Sequence, residues 1–182
     1  MKSKGLGLLV LSSFVLSTLT LSTTTEVKAE SQKVIQLAKK NKKKEKTYKV
    51  GEVVTVKSVE YTVNGKELTT NVGGEFGATA NDVFLVVDVT VKNNGKKALT
   101  ISDDFFKLYK GETEYESDSA AGVYANQDSS ANFFYSELNP GSTVTGKVVF
   151  DLTEAAANDP ELVLQVQTGF WGTQTAKIAL NQ

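Results

Sequence analysis

After residue 50, apolar side chains recur at every second position through most of the chain. That period belongs to strands with one buried face. The clearest run is Val83 to Lys92. Val83, Leu85, Val87, Val89 and Val91 share one face, while Phe84 and Val86 precede Asp88, Thr90 and Lys92 on the other. Such a strand starts buried on both sides and ends half exposed. Val53 to Val63 alternates too, but its phase slips: Val54 and Val56 hold one parity, Val59, Tyr61 and Val63 the other. A change of phase predicts a bulge or a strand that switches sheets. Thr143 to Leu152 turns Val144, Val148, Phe150 and Leu152 inward, and Gly146 falls on that face, where a neighbour packs closely. Leu162, Leu164 and Val166 line one later strand, and Ala176, Ile178 and Leu180 line the last.

Turn chemistry separates these runs. Asn71 to Ala80 reads as a Gly-rich loop, and Asn93-Asn94-Gly95-Lys96 as a turn. Ala98 to Ile101 is a short strand. Phe105 to Tyr109 closes through Lys110-Gly111 onto Thr113 to Glu116 as a hairpin. Glu116 to Ser130 reads as a polar, acidic loop interrupted by Val123 and Tyr124. Asn132 to Leu138 reads as a strand and ends at the strong turn Asn139-Pro140-Gly141-Ser142. Thr153 to Asp159 holds one helical turn capped by Thr153. Roughly seven to nine short strands bounded by turns predict an all-β fold, a two-sheet antiparallel sandwich. A small closed barrel is the competing architecture, and the strands with one wet face favour the sandwich.

The first residues follow another logic. Lys2 and Lys4 precede an apolar stretch from Leu6 to Leu21, and Val27-Lys28-Ala29 supplies a cleavage site after Ala29. This predicts a signal peptide over 1–29 and an extracellular, secreted protein. The stretch is short and broken by Ser and Thr, whereas a membrane anchor needs ~20 apolar residues. Residues 30–46 form a Lys-rich tether, with Lys39, Lys40, Lys42, Lys43, Lys44 and Lys46. It is a leash to anionic wall polymer or lipid headgroups, or a solvated spacer. The sandwich then occupies 47–182.

Charge sharpens this division. The tether carries seven Lys and two acids, net +5, whereas residues 47–182 carry ten Lys and 18 acids, net −8. A domain of that charge repels nucleic acid and anionic lipid. Every basic residue is Lys, and Arg, the favoured fork for phosphate and guanine, is absent. The chain has no His and no Cys. That excludes Ser-His-Asp and Cys-His catalysis, disulfides, lipid attachment through Cys, and the usual zinc sites.

Five segments in register resemble a known family. They are Val50-Gly51-Glu52, the run from Phe84 through Asn93-Asn94-Gly95, and Asp104-Phe105-Phe106-Lys107-Leu108 followed by Tyr115. Leu138-Asn139-Pro140-Gly141 and Gly146-Lys147-Val148-Val149-Phe150-Asp151 complete them. Their order is similar to that of the DUF4352 domain of exported and lipid-anchored Gram-positive proteins. The resemblance implies an immunoglobulin-like sandwich in an extracellular setting. It brings no catalytic residues and no cofactor.

Three groups of residues are candidates for function. Asp103, Asp104 and Asp118 are loop carboxylates of the kind that ligate hard cations, although no calcium-loop spacing is present. Glu112, Glu114 and Glu116 alternate with Thr113, Tyr115 and Ser117, as on the wet face of a strand. Tyr124, Phe133, Tyr135, Phe170 and Trp171 are candidate contacts for protein or sugar, with Trp171 alternatively capping the core. Paired carboxylates for glycoside hydrolysis need a cleft that a sandwich of this size has little room for. The leading expectation is a non-enzymatic interaction module at the cell envelope, its partner another envelope protein or a wall polymer. The alternatives are a small-ligand or divalent-cation binder using the acidic loops, and an enzyme acting on cell wall.

Overall fold

The computed structural model describes residues 46–127, 133–168 and 174–181. The expected leader over 1–29, the lysines from Lys39 to Lys44 of the expected tether, and Phe170 and Trp171 lie outside the described residues. In chain order come β1 (Thr47–Lys49), β2 (Val53–Val56), β3 (Val59–Val72), β4 (Ala78–Asn93), β5 (Leu99–Thr100), β6 (Phe106–Lys110) and β7 (Thr113–Glu116). Then follow α1 (Ser119–Ala125), β8 (Glu137–Leu138), β9 (Thr143–Leu152), α2 (Glu154–Ala157), β10 (Val163–Gln167) and β11 (Thr175–Ala179).

Two sheets form the immunoglobulin-like sandwich. One has the order β1-β11-β10-β6-β7, the other β2-β3-β4-β9, and β5 pairs with β8 in a small ribbon. Among the described residues all pairings are antiparallel except β1 with β11, which is parallel. The core lies between the sheets. Val83, Leu85, Val87, Val89 and Val91 bury the inner face of β4, as their alternation predicts. Leu108, Leu164, Val166 and Ile178 answer from the other sheet. Tyr61 meets Phe106 across the gap, edge to face, with ring centres 6.1 Å apart. Asn93 is the one polar side chain fully buried among the described residues. Its amide donates to Lys97 O and Leu138 O at 2.8 Å and accepts from Gly95 N at 2.9 Å, so its burial leaves nothing unpaired.

Several expectations are corrected. The phase slip in Val53 to Val63 is neither a bulge nor a sheet switch but a hairpin: β2 pairs with β3, and Val56 faces Val59 across Lys57-Ser58. Residues i and i+3 that pair across a two-residue turn share a face, so the parity must change. Lys57 takes a positive φ of 56° to close this turn. The supposed loop from Asn71 to Ala80 is half strand, because β3 runs to Val72 and β4 starts at Ala78. Only the turn between them is loop-like, with a 3₁₀ turn over Gly74–Phe76. The acidic loop from Glu116 to Ser130 contains α1. Residues 133–138 are extended only over β8. As expected, Thr153 caps α2 by accepting from Ala156 N. Among the described residues no helix is long and apolar enough to cross a membrane.

Candidate functional site

Phe133, Phe134 and Tyr135 do not alternate across a strand. Phe133 is 1% exposed and belongs to the core, so it is no partner surface. Its ring lies where a Cβ on Gly146 of β9 would stand, which explains a glycine on an otherwise apolar face. Phe134 packs over Gly122 of α1 and meets Phe133 edge to face at 4.8 Å. With both rings buried, the chain must turn sharply to go on. Tyr135 takes a φ of 62°, a left-handed backbone that bulky residues adopt only under constraint. Two bonds impose it: Tyr135 N donates to Ile101 O at 2.9 Å, and the hydroxyl donates to Asp103 Oδ1 at 2.9 Å. The ring between these anchors is 62% exposed.

Asp103 starts a 3₁₀ turn over Asp103–Phe105 and gathers hydroxyls. Ser102 donates to it at 3.1 Å, Ser119 donates to its other oxygen, and Asp104 N donates at 3.2 Å. Partial burial pushes the carboxyl up, but the hydroxyls of Ser119, Tyr135 and Ser102 outweigh it and hold the carboxyl below its ordinary range. A carboxylate held ionised in this way is an anchor and a weak proton acceptor. The same contact, with partial burial, pushes the Tyr135 phenol up. Asp118 is committed elsewhere: it caps α1, accepting from Ala121 N at 2.9 Å. Asp104 accepts from Ser102 at 3.4 Å. Among the described residues no group of three or more carboxylates could hold a metal ion.

Helix α1 joins this cluster to a second feature. Ala121 is buried against Val72, Phe84, Val86 and Val149, so α1 covers the outer face of β4 where Phe84 and Val86 needed cover. The helix is fastened at both ends to the edge of β9. Asp118 N donates to Val149 O at 2.8 Å. Asn126 donates to Lys147 O and accepts from Lys147 N, each at 2.8 Å, as a neighbouring strand would. At its far end α1 abuts the β3–β4 turn: Gln127 donates to Gly73 O at 3.4 Å, and a Cβ on Gly73 would meet Tyr124 Cβ at 2.8 Å. Gly73 and Gly74 take φ of 81° and 71°, which lets this turn close tightly. Its tip displays Phe76, 86% exposed.

A continuous chain of contacts therefore runs from Tyr135 through Asp103 and Ser119, along α1, to the Phe76 turn. Val123 and Tyr124 on α1 are 58% and 38% exposed. The sequence nominated Tyr124, Tyr135 and Asp103, which are brought together here. It missed Phe76 and Ser119. A Phe flanked by glycines in Gly73-Gly74-Glu75-Phe76-Gly77 was the available signal for a displayed ring. Lys46, the last tether lysine, lies elsewhere, its ammonium 4.2 Å from the centre of the Tyr48 ring.

Known proteins place the whole assembly in context. The YjhA protein of Bacillus subtilis is 18% identical and aligns over 74% of this chain and 99% of its own, with a TM-score of 0.54. A conserved hypothetical protein of Bacillus anthracis is 22% identical over 68% of this chain and 92% of that one, with a TM-score of 0.53. MPT63, a secreted protein of Mycobacterium tuberculosis, is 16% identical over 75% of this chain and 98% of that one, with a TM-score of 0.50. At these identities the likeness is one of fold. Among curated proteins none matches the chain. The sequence model of a domain of unknown function, DUF4352, matches residues 48–178, from within β1 to the last but one residue of β11. That span takes in both sheets, α1 and the Tyr135 cluster, and the chain is a member of the DUF4352 family.

Proposed function

We propose that this domain is a non-enzymatic binding module exposed outside the cell, and that it makes contact through the α1 surface. The observation that carries the reading is the display of Phe76, Val123 and Tyr135 on supports built to hold them out. An apolar ring in water is unfavourable until a partner covers it, and rigid aromatic anchors are typical of binding hot spots. Tyr135 keeps a left-handed backbone, at a cost of roughly 1–3 kcal/mol, while its ring stays in solvent. Folding alone gains little from that arrangement. The partner is another envelope protein or a wall polymer. The leader pattern of residues 1–29, and a structural neighbour described as secreted, support the exterior setting.

Photo-crosslinking residues placed at Phe76, Val123 or Tyr135 test this in cells that export the protein. Val53, also well exposed but on β2, serves as the control. Discrete adducts at the three α1-surface positions and none at Val53 are the expected result. Equal yields at all four positions would remove the basis for this surface.

A further inference from the structure

The four-stranded sheet leaves one long edge open. β2 lies beside β3 only from Val59 to Thr62, and the last bond on that side runs from Gly51 N to Val63 O at 2.8 Å. Beyond it β3 continues to Val72, paired with β4 alone among the described residues. A bulge at Asn64 resets the alternation: Val63 pairs with Val89, Gly65 with Asp88, Lys66 with Val87 and Leu68 with Leu85. Lys66 and Leu68 therefore share the face of Val63. Residues of one strand that share a face also send their N–H and C=O groups to the same side. The Val63 carbonyl points away from β4, so the backbone groups of Lys66 and Leu68, and by alternation those of Thr70, point out along the open edge. All three residues are exposed.

The other sheet edges are blunted, as exposed edges usually are. α1 is fastened along β9 at Lys147 and Val149. β1 has only three residues, and β7 carries Glu114 and Glu116 within its four. The edge of β3 has the bulge at its start and Lys66 as its one cation. Residues 64–71 are mostly exposed, so the strand extends here without burying a face against the core. A row of unpaired backbone donors and acceptors of this kind is a template for another strand.

We infer that two copies of this chain pair through this edge, β3 against β3, antiparallel about a two-fold axis at Leu68. Leu68 is the midpoint of the open stretch 64–72, so β2 of one copy stops where β3 of the other ends. In this register Leu68, 39% exposed, is covered by Leu68 of the second copy. Lys66 lies opposite Thr70 and Glu67 opposite Thr69, so no like charges face each other. Centring the axis on Lys66 or Glu67 would set like charges together. Centring it beyond Leu68 shortens the overlap, because the chain turns away at Gly73, with φ of 81°. The self-complementary register is the reason to place a second copy here rather than a foreign strand. One pair of strands stays below the ~1,200 Å² at which stable interfaces begin, so the dimer is weak and forms where copies are crowded. The inference goes beyond the α1 surface and uses none of its residues.

Sedimentation equilibrium of the full chain over a concentration series tests it, and a reversible monomer–dimer equilibrium is expected. Leu68→Pro deletes an N–H that a single copy leaves unbonded, so the fold should persist while association falls roughly tenfold or more with the two symmetric bonds. Thr70→Lys sets like charges opposite each other at both ends of the pairing and should weaken the dimer roughly threefold or more. Thr70→Glu instead faces Lys66 and should tighten it. Association through any other part of the chain would respond to none of these substitutions. If circular dichroism shows Leu68→Pro unfolded, the two Thr70 variants decide alone. A chain that stays monomeric at every concentration would overturn the inference, as would a folded Leu68→Pro that dimerises unchanged or equal association constants for Thr70→Lys and Thr70→Glu. Uptake of a foreign peptide along this edge by a chain that remains monomeric would overturn it too.

Discussion

Val87 and Thr90 lie three residues apart on β4 and face opposite ways. Val87 is fully buried between the sheets, and Thr90 is half-exposed, sharing a hydrogen bond with Thr145 at 2.8 Å. Val87→Asp should cost about 4 kcal/mol or more, because an unpaired charge enters the core. Thr90→Asp should cost far less, and chemical denaturation of the two variants compares them directly. Tyr61 gives a second prediction at this scale. Its hydroxyl donates to Gln167 O at 2.8 Å, and burial pushes its pKa to about 12 from the ordinary 10.0, against a smaller opposing effect of Thr168. The folded state therefore favours the neutral phenol. That stability is fully present below pH ~10 and is lost as the pH rises through the folded value. Tyr61→Phe should cost ~1 kcal/mol at neutral pH and flatten the fall in stability at alkaline pH. Thermal melts across that range, with and without the substitution, check both parts. A steep fall that survives in Tyr61→Phe would assign it to another group.

Among the elements, α1 and α2 differ in how far the sequence announces them. Thr153 before Glu154-Ala155-Ala156-Ala157 is a cap before good helix formers, and α2 follows locally. Helix α1 has a cap in Asp118, but it runs through Ser119 and Gly122 and shows no apolar stripe beyond small residues. It forms because Ala121 and Gly122 let it lie flat on Val149 and Phe134, and because β9 has an edge to cover. Asn126 is the test of that account. Asn126→Ala removes its bonds to both backbone groups of Lys147 and to Gly122 O at 2.7 Å. The expected loss is about 1–3 kcal/mol. Hydrogen exchange should quicken first in α1 and at Lys147, with β10 and β11 unaffected. Uniform loss of protection would mean that α1 is no separate unit. Gly146→Ala acts on the opposite side of the same region. The new methyl collides with the Phe133 ring, so a loss of roughly 1–3 kcal/mol should accompany increased mobility of Tyr135.

For the whole molecule, pH should act on the α1 surface through Asp103. Its carboxyl is held below the ordinary range, so its contribution is present above that range and is lost as the pH falls through the folded value. As the pH falls through that lowered value, protonation should weaken the hold of Ser119 and Tyr135 while the core persists. Tyr135 fluorescence anisotropy should fall before far-ultraviolet circular dichroism changes, and Asp103→Asn should abolish the early phase. Legibility in the sequence followed burial. Where strands face the core, period-2 alternation placed β4, β9, β10 and β11 and their inward residues, because one wet and one dry face leave a written pattern. Residues 64–71 are mostly exposed on both faces, so that pattern is absent and half of β3 could not be read. The turn at Lys57-Ser58 and a bulge produce the same parity change, and only pairing distinguishes them. Of the site, the sequence by itself determined the absence of His and Cys chemistry, the charge of the domain and the aromatic and acidic candidates. Tertiary structure alone decided that Phe133 is core while Tyr135 is displayed, since three adjacent rings differ in nothing local. Their fates depend on Gly146, Gly122 and Asp103, which are distant along the chain and adjacent only once the sheets have closed.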